Sequence, residues 1–456
     1  MAPPRRRVTD LLDIARRVAG AARPDEQVEA YVVRSRDTDV EVFGGEVESL
    51  TTAVVEGIGV RVITDHRQGY AWAGSLDDSV VAETLTDARD NAQFGEPDEW
   101  YALPGPNDIN GVGAVRLDLW RDELAAVPTD EKVRIALELE RATKDADPRI
   151  RNVESASYGD SLTEAAIANS LGVDASTRRT SCGASSVAIA DDGTGPQTGY
   201  GYVAGRAIGD LDLESVPRDA AVRACRLLGA RPIPGRRLPV ILDPQVTRSV
   251  LGVLSSAFNG ESVLKGRSLF AGREGEQIGA AIVTVLDDPT DARASGAASY
   301  DSEGVPTRAV PLIADGVLQG FLQNVYTGRR SGAGTTGSAV RGYTSTPGVG
   351  VRALRLVPGD KSPEAIMASV PEALYVQSVS GLHSGTNPIS GDFSVGAEGL
   401  MVRGGDFAEP VREVTVASTL QRMLLDLAEV GADLTFLPGA VAGMTVLLGE
   451  MTISGS

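Results

Sequence analysis

The sequence predicts an α+β protein of two mixed domains, each of largely antiparallel sheet with a few helices, the C-terminal one more β-rich. Three observations predict this class. Segments with helical periodicity alternate with β-branched segments of period two in both halves. The 456 residues exceed what a single hydrophobic core usually serves. The 52 glycines, combined with only 5% aromatic residues, indicate many turns between strands.

The first half is predicted to alternate helices with antiparallel strands. Helical periodicity predicts helices over residues 8–22, 75–94, 129–145 and 216–230. Alternating β-branched segments such as VEAYVVRS, GVRVIT and GYAWAG predict strands between them. The segment RPIPGRRLP, with three prolines, then marks the best domain boundary. We therefore expect domains at residues 1–230 and 231–456.

The second half is predicted to begin with the buried strand PVILD and a helix over about Val246–Asn259. Strands follow in AAIVTVLDD, in the region from Thr307 to Tyr326, and in DFSVGAEGLMVRGG and PVREVTVAS. The pair Asp315-Gly316 between apolar residues predicts a type I′ hairpin. A last helix over 418–430 is expected to end at Gly431, before a final apolar strand or pair of strands.

Charge and composition exclude several classes of protein. The formal net charge of −19 disfavours nucleic-acid binding, which needs a basic face. No apolar run approaches 18 residues, and the basic N-terminus precedes no apolar stretch, so neither a membrane span nor a signal peptide is expected. Cys182 and Cys225 are predicted to be reduced, partly buried thiols. These features together predict a cytoplasmic protein.

Histidine is scarce, which limits the catalytic sites that this chain can build. There are two histidines, His66 in a predicted turn between strands and His383 in a loop rich in Gly, Ser and Asn. A catalytic zinc site usually takes two or three histidines. A serine hydrolase using His383 is disfavoured, because no G-x-S-x-G segment is present. We therefore expect no histidine-based metal site within this chain.

Two further patterns could carry chemistry but have simpler interpretations. The acidic sets Asp287-Asp288 and Asp301-Ser302-Glu303 could serve as acid–base pairs, yet both are typical of turns. The glycine-rich stretch Gly328–Gly350 contains no lysine, so a phosphate-binding loop is disfavoured. It is either a flexible loop that contacts a partner or an extended peptide, or a plain surface loop.

The order and spacing of several segments resemble the TldD/PmbA family over nearly the whole chain. They are DSEGVPTRAVPLIADGVLQGFLQNVYTGRRSGAGTTGSAVRGYTSTPG, SGTNPISGDFSVGAEGLMVRGG and PVREVTVASTLQRMLLDLAEVGADL, with VEVFGGEVESLTTAVVEGIGVRVI and VLDDP earlier in the chain. The resemblance implies a cytoplasmic complex of two related subunits, TldD and TldE (also called PmbA), that degrades or trims unstructured peptides. An older label of the family is modulator of DNA gyrase, and the charge disfavours direct DNA contact.

The resemblance also implies where a metal site would lie. The TldD branch carries H-E-x-x-x-H on the helix after the first strand of the second half, and a C-terminal cysteine completes its zinc site. In this sequence Ser255 and Ser256 stand at the His-Glu positions, and Gly260 stands at the second histidine position. No cysteine follows Cys225. This pattern resembles the TldE branch, so no catalytic residue and no metal or other cofactor are expected here, and zinc is expected only in a TldD-type partner.

The sequence therefore predicts a non-catalytic TldE-type subunit of a TldD/TldE metallopeptidase, which acts on unstructured peptides with a TldD-type subunit as its partner. The alternative is a homo-oligomeric peptide-binding or scaffold protein without peptidase activity; a homodimer is also the state considered for the chain alone. Candidate residues for contact with a peptide or partner lie in two loops: Gly334, Thr335, Thr336, Arg341, His383 and Asn387.

Overall fold

The computed structural model describes residues 8–109 and 111–455. The first half is built on one six-stranded sheet in which every neighbouring pair is antiparallel, in the order β3-β2-β1-β4-β5-β6. Its elements are α1 (Val8–Ala19), β1 (Gln27–Phe43), β2 (Glu46–Thr64), β3 (Arg67–Ala73), α2 (Asp78–Phe94), α3 (Pro106–Ile109), α4 (Asp122–Ala126), α5 (Thr129–Asp145), β4 (Ile150–Asn169), β5 (Asp174–Ala190), β6 (Gln197–Gly205) and α6 (Ser215–Cys225).

This sheet repeats one arrangement twice. A helix, three antiparallel strands and a second helix occur as α1-β1-β2-β3-α2 and again as α5-β4-β5-β6-α6. In each copy the second helix packs on the outermost strand so closely that a glycine is required beneath it. A Cβ at Gly69 on β3 would collide with the α2 backbone at Ala88, and a Cβ at Gly199 on β6 would collide with the α6 backbone at Ala220.

The alternating direction of the side chains along β1 decides which residues face the second half of the chain. Val28, Ala30 and Val32 are fully buried against α1 and α2. Because successive side chains on a strand point to opposite faces, Glu29 and Tyr31 point away from these helices. Both contact Arg341, which belongs to the second half.

The second half contains a closed sheet. Its strands follow the order β16-β15-β14-β7-β18-β17, and a further pairing of β16 with β18 closes a ring. Only β7 and β14 run parallel among these described pairs. The elements are β7 (Arg236–Leu242), α7 (Pro244–Leu254), α8 (Gly260–Leu264), β8 (Val285–Asp287), β9 (Val310–Ala314), β10 (Val317–Leu318), α9 (Val325–Ser331), β11 (Ala339–Val340), β12 (Gly348–Val349), β13 (Leu354–Leu356), α10 (Pro363–Ala368), β14 (Glu372–Ser380), α11 (Leu382–Gly385), β15 (Asp392–Arg403), β16 (Asp406–Thr419), α12 (Leu420–Leu425), β17 (Leu427–Val430) and β18 (Val446–Ser454).

The predicted α+β class is confirmed, as are the meander of β1 to β3 and the hairpin at Asp315-Gly316. Both hairpin residues have positive φ, +49° and +80°, as a type I′ turn requires. The helix predicted over 129–145 matches α5, with Pro128 at its N-cap. The longest helix of the second half, α7, has 11 residues, whereas α2 and α5 of the first half have 17 each. The boundary at residue 230 stays a prediction; β7 begins at Arg236.

Three predictions about secondary structure were wrong in the second half. The predicted last helix is α-helical only over Leu420–Leu425, because the residues after it form β17 and pair with β18. Pairing with β18 therefore outweighs the helical periodicity of that segment. The region predicted as strand up to Tyr326 ends in α9, which Asn324 caps by accepting from Thr327 N. The helix expected to reach Asn259 ends as an α-helix at Leu254.

Among the described residues, no helix combines the length and the apolar character that crossing a lipid bilayer would require. Cys182 and Cys225 are both free and buried, as predicted. His66 has positive φ in the turn between β2 and β3, which confirms its predicted position.

Candidate functional site

The end of α7 holds the serines at the expected metal positions. The helix starts at Asp243, which accepts from Gln245 N, and gives way at Ser255 to a single 3₁₀ turn over Ser255–Phe258. Ser255 Oγ donates to Gly252 O at 2.7 Å, and Ser256 Oγ donates to Val253 O at 3.0 Å. Both hydroxyl groups therefore donate to carbonyl groups of the preceding helical turn.

Gly260 lies where only a glycine fits. Its N–H donates to Leu322 O at 2.9 Å, which holds the chain directly against the segment 322–323. A Cβ at this position would collide with Gln323 Oε1 and lie 2.6 Å from Leu322 O. Asn259 fixes the preceding turn by accepting from Glu261 N and donating to Val349 O. A larger side chain at position 260 would need both Gln323 and the backbone to move.

These three positions do not fit a zinc ion. Zinc in proteins is held by imidazole, thiolate or carboxylate groups, and a hydroxyl that already donates to a carbonyl is a poor ligand. Within residues 8–109 and 111–455, no group of three or more His, Cys, Asp or Glu side chains converges as a metal site would require. The chemistry available at the end of α7 is therefore that of hydrogen bonding and packing.

The glycine-rich stretch packs against the same segment as Gly260. Thr336 N donates to Gln323 O at 3.1 Å, and Thr336 Oγ1 accepts from Gln323 N at 2.7 Å. Thr335 is buried, and its hydroxyl also donates to Gln323 O. Gly334 is exposed, with φ +74°. The structure thus places Gly334, Thr335 and Thr336 beside the 255–260 region, and their contact with a peptide or partner stays a prediction.

Arg341 is placed differently from a surface contact residue. Its side chain is 0% exposed, its Nη2 lies 2.8 Å from Glu29 Oε1, and its guanidinium stacks 4.8 Å from the centre of the Tyr31 ring. These contacts join the second half of the chain to the first. The placement does not favour a direct contact between Arg341 and another chain.

Glu29 belongs to a buried ionic cluster that spans the two halves. Arg61 lies opposite Glu29 on β2 and donates to both of its carboxylate oxygens, and Arg61 Nη2 also donates to Glu303 at 3.0 Å. Burial opposes ionisation of Glu29, but Arg341 and Arg61 outweigh it and lower its pKa. The signal that could have identified this cluster is a charged residue inside an otherwise apolar strand, as in VEAYVV and VRVI.

The acidic set at residues 301–303 forms the predicted turn, with Gly304 at φ +79°. Asp301 accepts from the N–H groups of Glu303, Val305 and Ala339. Burial and the neighbouring Glu303 raise the pKa of Asp301 to about 7. The acidic set is therefore a buried turn whose carboxylate holds the backbone in place. Its burial was not predicted from the sequence.

Asp287, from the other acidic set, is also buried, and it ends β8 as predicted. Its Oδ1 accepts from Arg352 N at 2.9 Å and from Ala353 N at 2.6 Å. Burial raises the pKa of Asp287 to about 6. Its hydrogen bonds hold the strand that follows the glycine-rich stretch.

His383 and Asn387 lie apart from these groups on an exposed loop beside β15. Asn387 Oδ1 accepts from Ile389 N, and Asn387 N donates to Asp392 O at 2.9 Å. His383 is exposed in α11. Besides its internal contacts and those to β15, the loop accepts hydrogen bonds from Leu420 N and Gln421 Nε2 of α12, and its role in binding stays a prediction.

A cleft of about 1010 Å³ lies between the first sheet and the segments 292–295 and 436–439. Six carboxylate residues and three arginines line it: Asp37, Asp39, Glu41, Asp118, Asp160 and Asp210, with Arg121, Arg206 and Arg293. The excess of negative charge favours cationic over anionic ligands. Its size is sufficient for a short extended segment of peptide.

The N-terminal part of β2 is a free sheet edge. β3 pairs only with residues 58–64 of β2, so residues 46–57 have a neighbour on one side alone, β1. Apolar side chains are exposed along this edge and at its tip: Phe43, Val47, Leu50, Val54 and Val55, with Val54 67% exposed. A long, apolar, unpaired edge is a site where another chain can pair. Sequence reasoning missed it, although the alternating segment EVESLTTAVV was predicted as strand.

Models of one protein family match three successive parts of the chain. They are described as PmbA/TldA metallopeptidase domain 1 (residues 28–92), the central domain (122–228) and the C-terminal domain (234–455). Together they cover most of the sequence.

Full-length relatives agree with these matches. Metalloprotease PmbA of Escherichia coli O157:H7 is 29% identical over 436 residues, covering 95% of this chain and 94% of that protein. A metalloprotease TldD homolog of Haemophilus influenzae is 23% identical and covers 94% and 93%. A crystal structure from Thermotoga maritima, described as a proposed modulator of DNA gyrase, superposes with a TM-score of 0.89 at 25% identity, over 97% and 99% of the chains. TldE from Thermococcus kodakarensis shares the fold, with a TM-score of 0.87 at 23% identity over 98% and 99%.

Proposed function

Because the chain belongs to the PmbA/TldD metallopeptidase family, we propose that it is a TldE-type subunit, which pairs with a TldD-type subunit that supplies the zinc. In this role the chain contributes binding surface and enclosure to the complex and performs no chemical step itself. The substrate class is unstructured peptide. Both the pairing and the substrate are part of the proposal.

The observation that carries the proposal is the packing at Gly260. In a zinc subunit of this family, a histidine would be expected there, and here the space is filled by Gln323. Ser255 and Ser256 direct their hydroxyls at the backbone. The region is thus packed around hydrogen bonds rather than arranged around a metal. The higher identity to the relative named PmbA than to the one named TldD supports the same assignment.

The free edge of β2 is the surface that we assign to the partner. The TldD homolog aligns over nearly the whole chain, so a TldD-type subunit is expected to have the same fold and a corresponding edge. Two such edges can pair by strand addition, and the exposed Leu50 and Val54 would be buried between them. A peptide enclosed between the two subunits would then reach the zinc of the partner, whereas folded proteins would be excluded from it.

The pairing is tested by co-purifying the chain with the TldD-type protein of its own genome and measuring the affinity. Val54→Lys places a charge in the proposed interface and is expected to weaken association by roughly tenfold or more. Phe94→Lys is the matched control, because Phe94 is 84% exposed on α2, away from the edge. Equal affinity of Val54→Lys and the wild type would contradict the interface. Self-association through this edge with no binding to the partner would favour the homo-oligomeric alternative.

A further inference from the structure

A second cavity, of about 150 Å³, lies between the two halves of the chain. Strands β1, β4 and β5 form one wall, and residues 297–302 with Arg341 and Arg352 form the other. A cavity volume of roughly 10–15 Å³ is enough for one water molecule. This cavity is therefore large enough for a small polyatomic group. Its lining is notable for arginine.

Arg341 brings buried donors without acceptors to this cavity. Its side chain is 0% exposed, and Nη2 forms the ion pair with Glu29. Nε and Nη1 have no hydrogen-bond partner among the residues that the structure describes. A buried N–H group left without an acceptor is costly, and more so when it carries charge. A hydrogen-bond acceptor bound in the cavity would therefore stabilise these N–H groups.

Arg352 adds a second buried donor without an acceptor, and Arg179 adds a further positive charge to the lining. Arg352 Nη2 donates to Ser302 Oγ at 3.0 Å and to Ala339 O at 2.8 Å, while its buried Nε has no partner in the described parts of the chain. Arg179, on β5, lines the cavity from an exposed position, and its side chain has neither an ion pair nor a hydrogen bond among the described residues. Loss of hydration beside the cavity and the positive charge of the nearby Arg352 lower the pKa of Arg179.

The neighbouring carboxylates do not balance this charge. Glu29 and Glu303 are matched by Arg61 and Arg341 in the ionic cluster. That leaves one acidic residue in the lining.

Asp301 is that residue, facing Arg179 and Arg352. Its oxygens already accept three backbone N–H groups, burial raises its pKa, and one carboxylate does not balance two guanidinium groups. The cavity therefore keeps a net positive charge.

We propose that this cavity binds one small oxyanion, a carboxylate or a phosphate, held by Arg179, Arg341 and Arg352. The planar guanidinium groups present paired N–H donors that match such oxygens. The site is separate from the 255–260 region, and it does not depend on the proposed peptidase role. Inorganic and organic anions can each test it directly.

The test is thermal unfolding of the purified full chain at constant ionic strength, with chloride replaced stepwise by phosphate or by acetate. An anion that binds the folded chain raises its Tm, and the concentration dependence gives an apparent Kd. Two further titrations use a short peptide with a free C-terminal carboxylate and the same peptide with a C-terminal amide. The anion that binds most tightly identifies the source of the oxyanion.

Arg179→Gln is the informative variant, because within the described parts of the chain the Arg179 side chain makes no hydrogen bond or ion pair whose loss would destabilise the fold. It is expected to keep or slightly raise the Tm without added anion and to weaken anion binding by roughly tenfold or more. Arg237→Gln, an exposed arginine paired with Glu450, should bind like the wild type. Stabilisation of the wild type by phosphate, acetate or the peptide acid, lost in Arg179→Gln, supports the site. No stabilisation by any of them, or equal stabilisation of Arg179→Gln, overturns it.

Discussion

The side chain of Gln323 fills the space where a Cβ at Gly260 would lie. The contact joins the turn after α7 to the segment that leads into α9, and the backbone bond from Gly260 N to Leu322 O closes the same gap. The absence of a side chain at position 260 is thus part of the packing of this chain.

Gly260→Ala should destabilise the protein by about 1–3 kcal/mol, because the added methyl group meets both Gln323 and the carbonyl of Leu322. Urea unfolding measures the change. Gly252→Ala is the control: it lies within α7, and a Cβ there meets no atom within 4 Å. That variant should be neutral or about 0.5–1 kcal/mol more stable, since alanine favours a helix. Equal stability of the two variants would show that position 260 is not tightly packed.

The double variant Gly260→Ala/Gln323→Ala separates the two collisions. Removing the Gln323 side chain should recover part of the lost stability, because a flexible side-chain end is one of the obstacles. The Leu322 carbonyl remains, so recovery should be incomplete. Strictly additive losses would contradict direct contact between positions 260 and 323.

The sequence was sufficient to predict the class, the long meander and the type I′ hairpin, because these depend on local periodicity and on turn residues. The resemblance also led to the prediction, which stays a prediction, that Ser255, Ser256 and Gly260 stand at the positions of a metal motif. It could not predict that α7 would stop at Leu254, since the chain just after it is held by long-range bonds from Asn259 Nδ2 to Val349 O and from Gly260 N to Leu322 O. Nor could it pair Glu29 with Arg341, which lie in different halves of the chain.

Arg61→Met should be strongly destabilising, by about 3–5 kcal/mol, because it leaves Glu29 and Glu303 buried with fewer counter-charges. The free energy of unfolding in denaturant is the measurement. Arg237→Met is the matched control, since its pair with Glu450 is more than half exposed on both sides, and about 0–1 kcal/mol is expected. A loss below 1 kcal/mol for Arg61→Met would mean that the cluster does not hold the two halves together.

Asp287 should make the folded protein lose stability as the pH rises. Burial raises its folded pKa to about 6, above the usual value of 3.8, so its contribution is fully present below pH 3.8 and is lost as the pH rises through about 6. Asp287→Asn keeps an oxygen for the N–H groups of Arg352 and Ala353 and removes the titration. Relative to this variant, the wild type should therefore lose on the order of 1–3 kcal/mol between pH 4 and 7. Parallel stability curves for the two proteins would rule out a raised pKa.

The central claim is that the chain carries no zinc site of its own and serves a partner that does. The most direct measurement is zinc content together with cleavage of a disordered peptide, for the purified chain alone, for the TldD-type partner alone and for the two combined. We expect no stoichiometric zinc and no cleavage for this chain alone, with zinc and cleavage in the complex. One zinc per chain together with peptide cleavage by the isolated chain would contradict it.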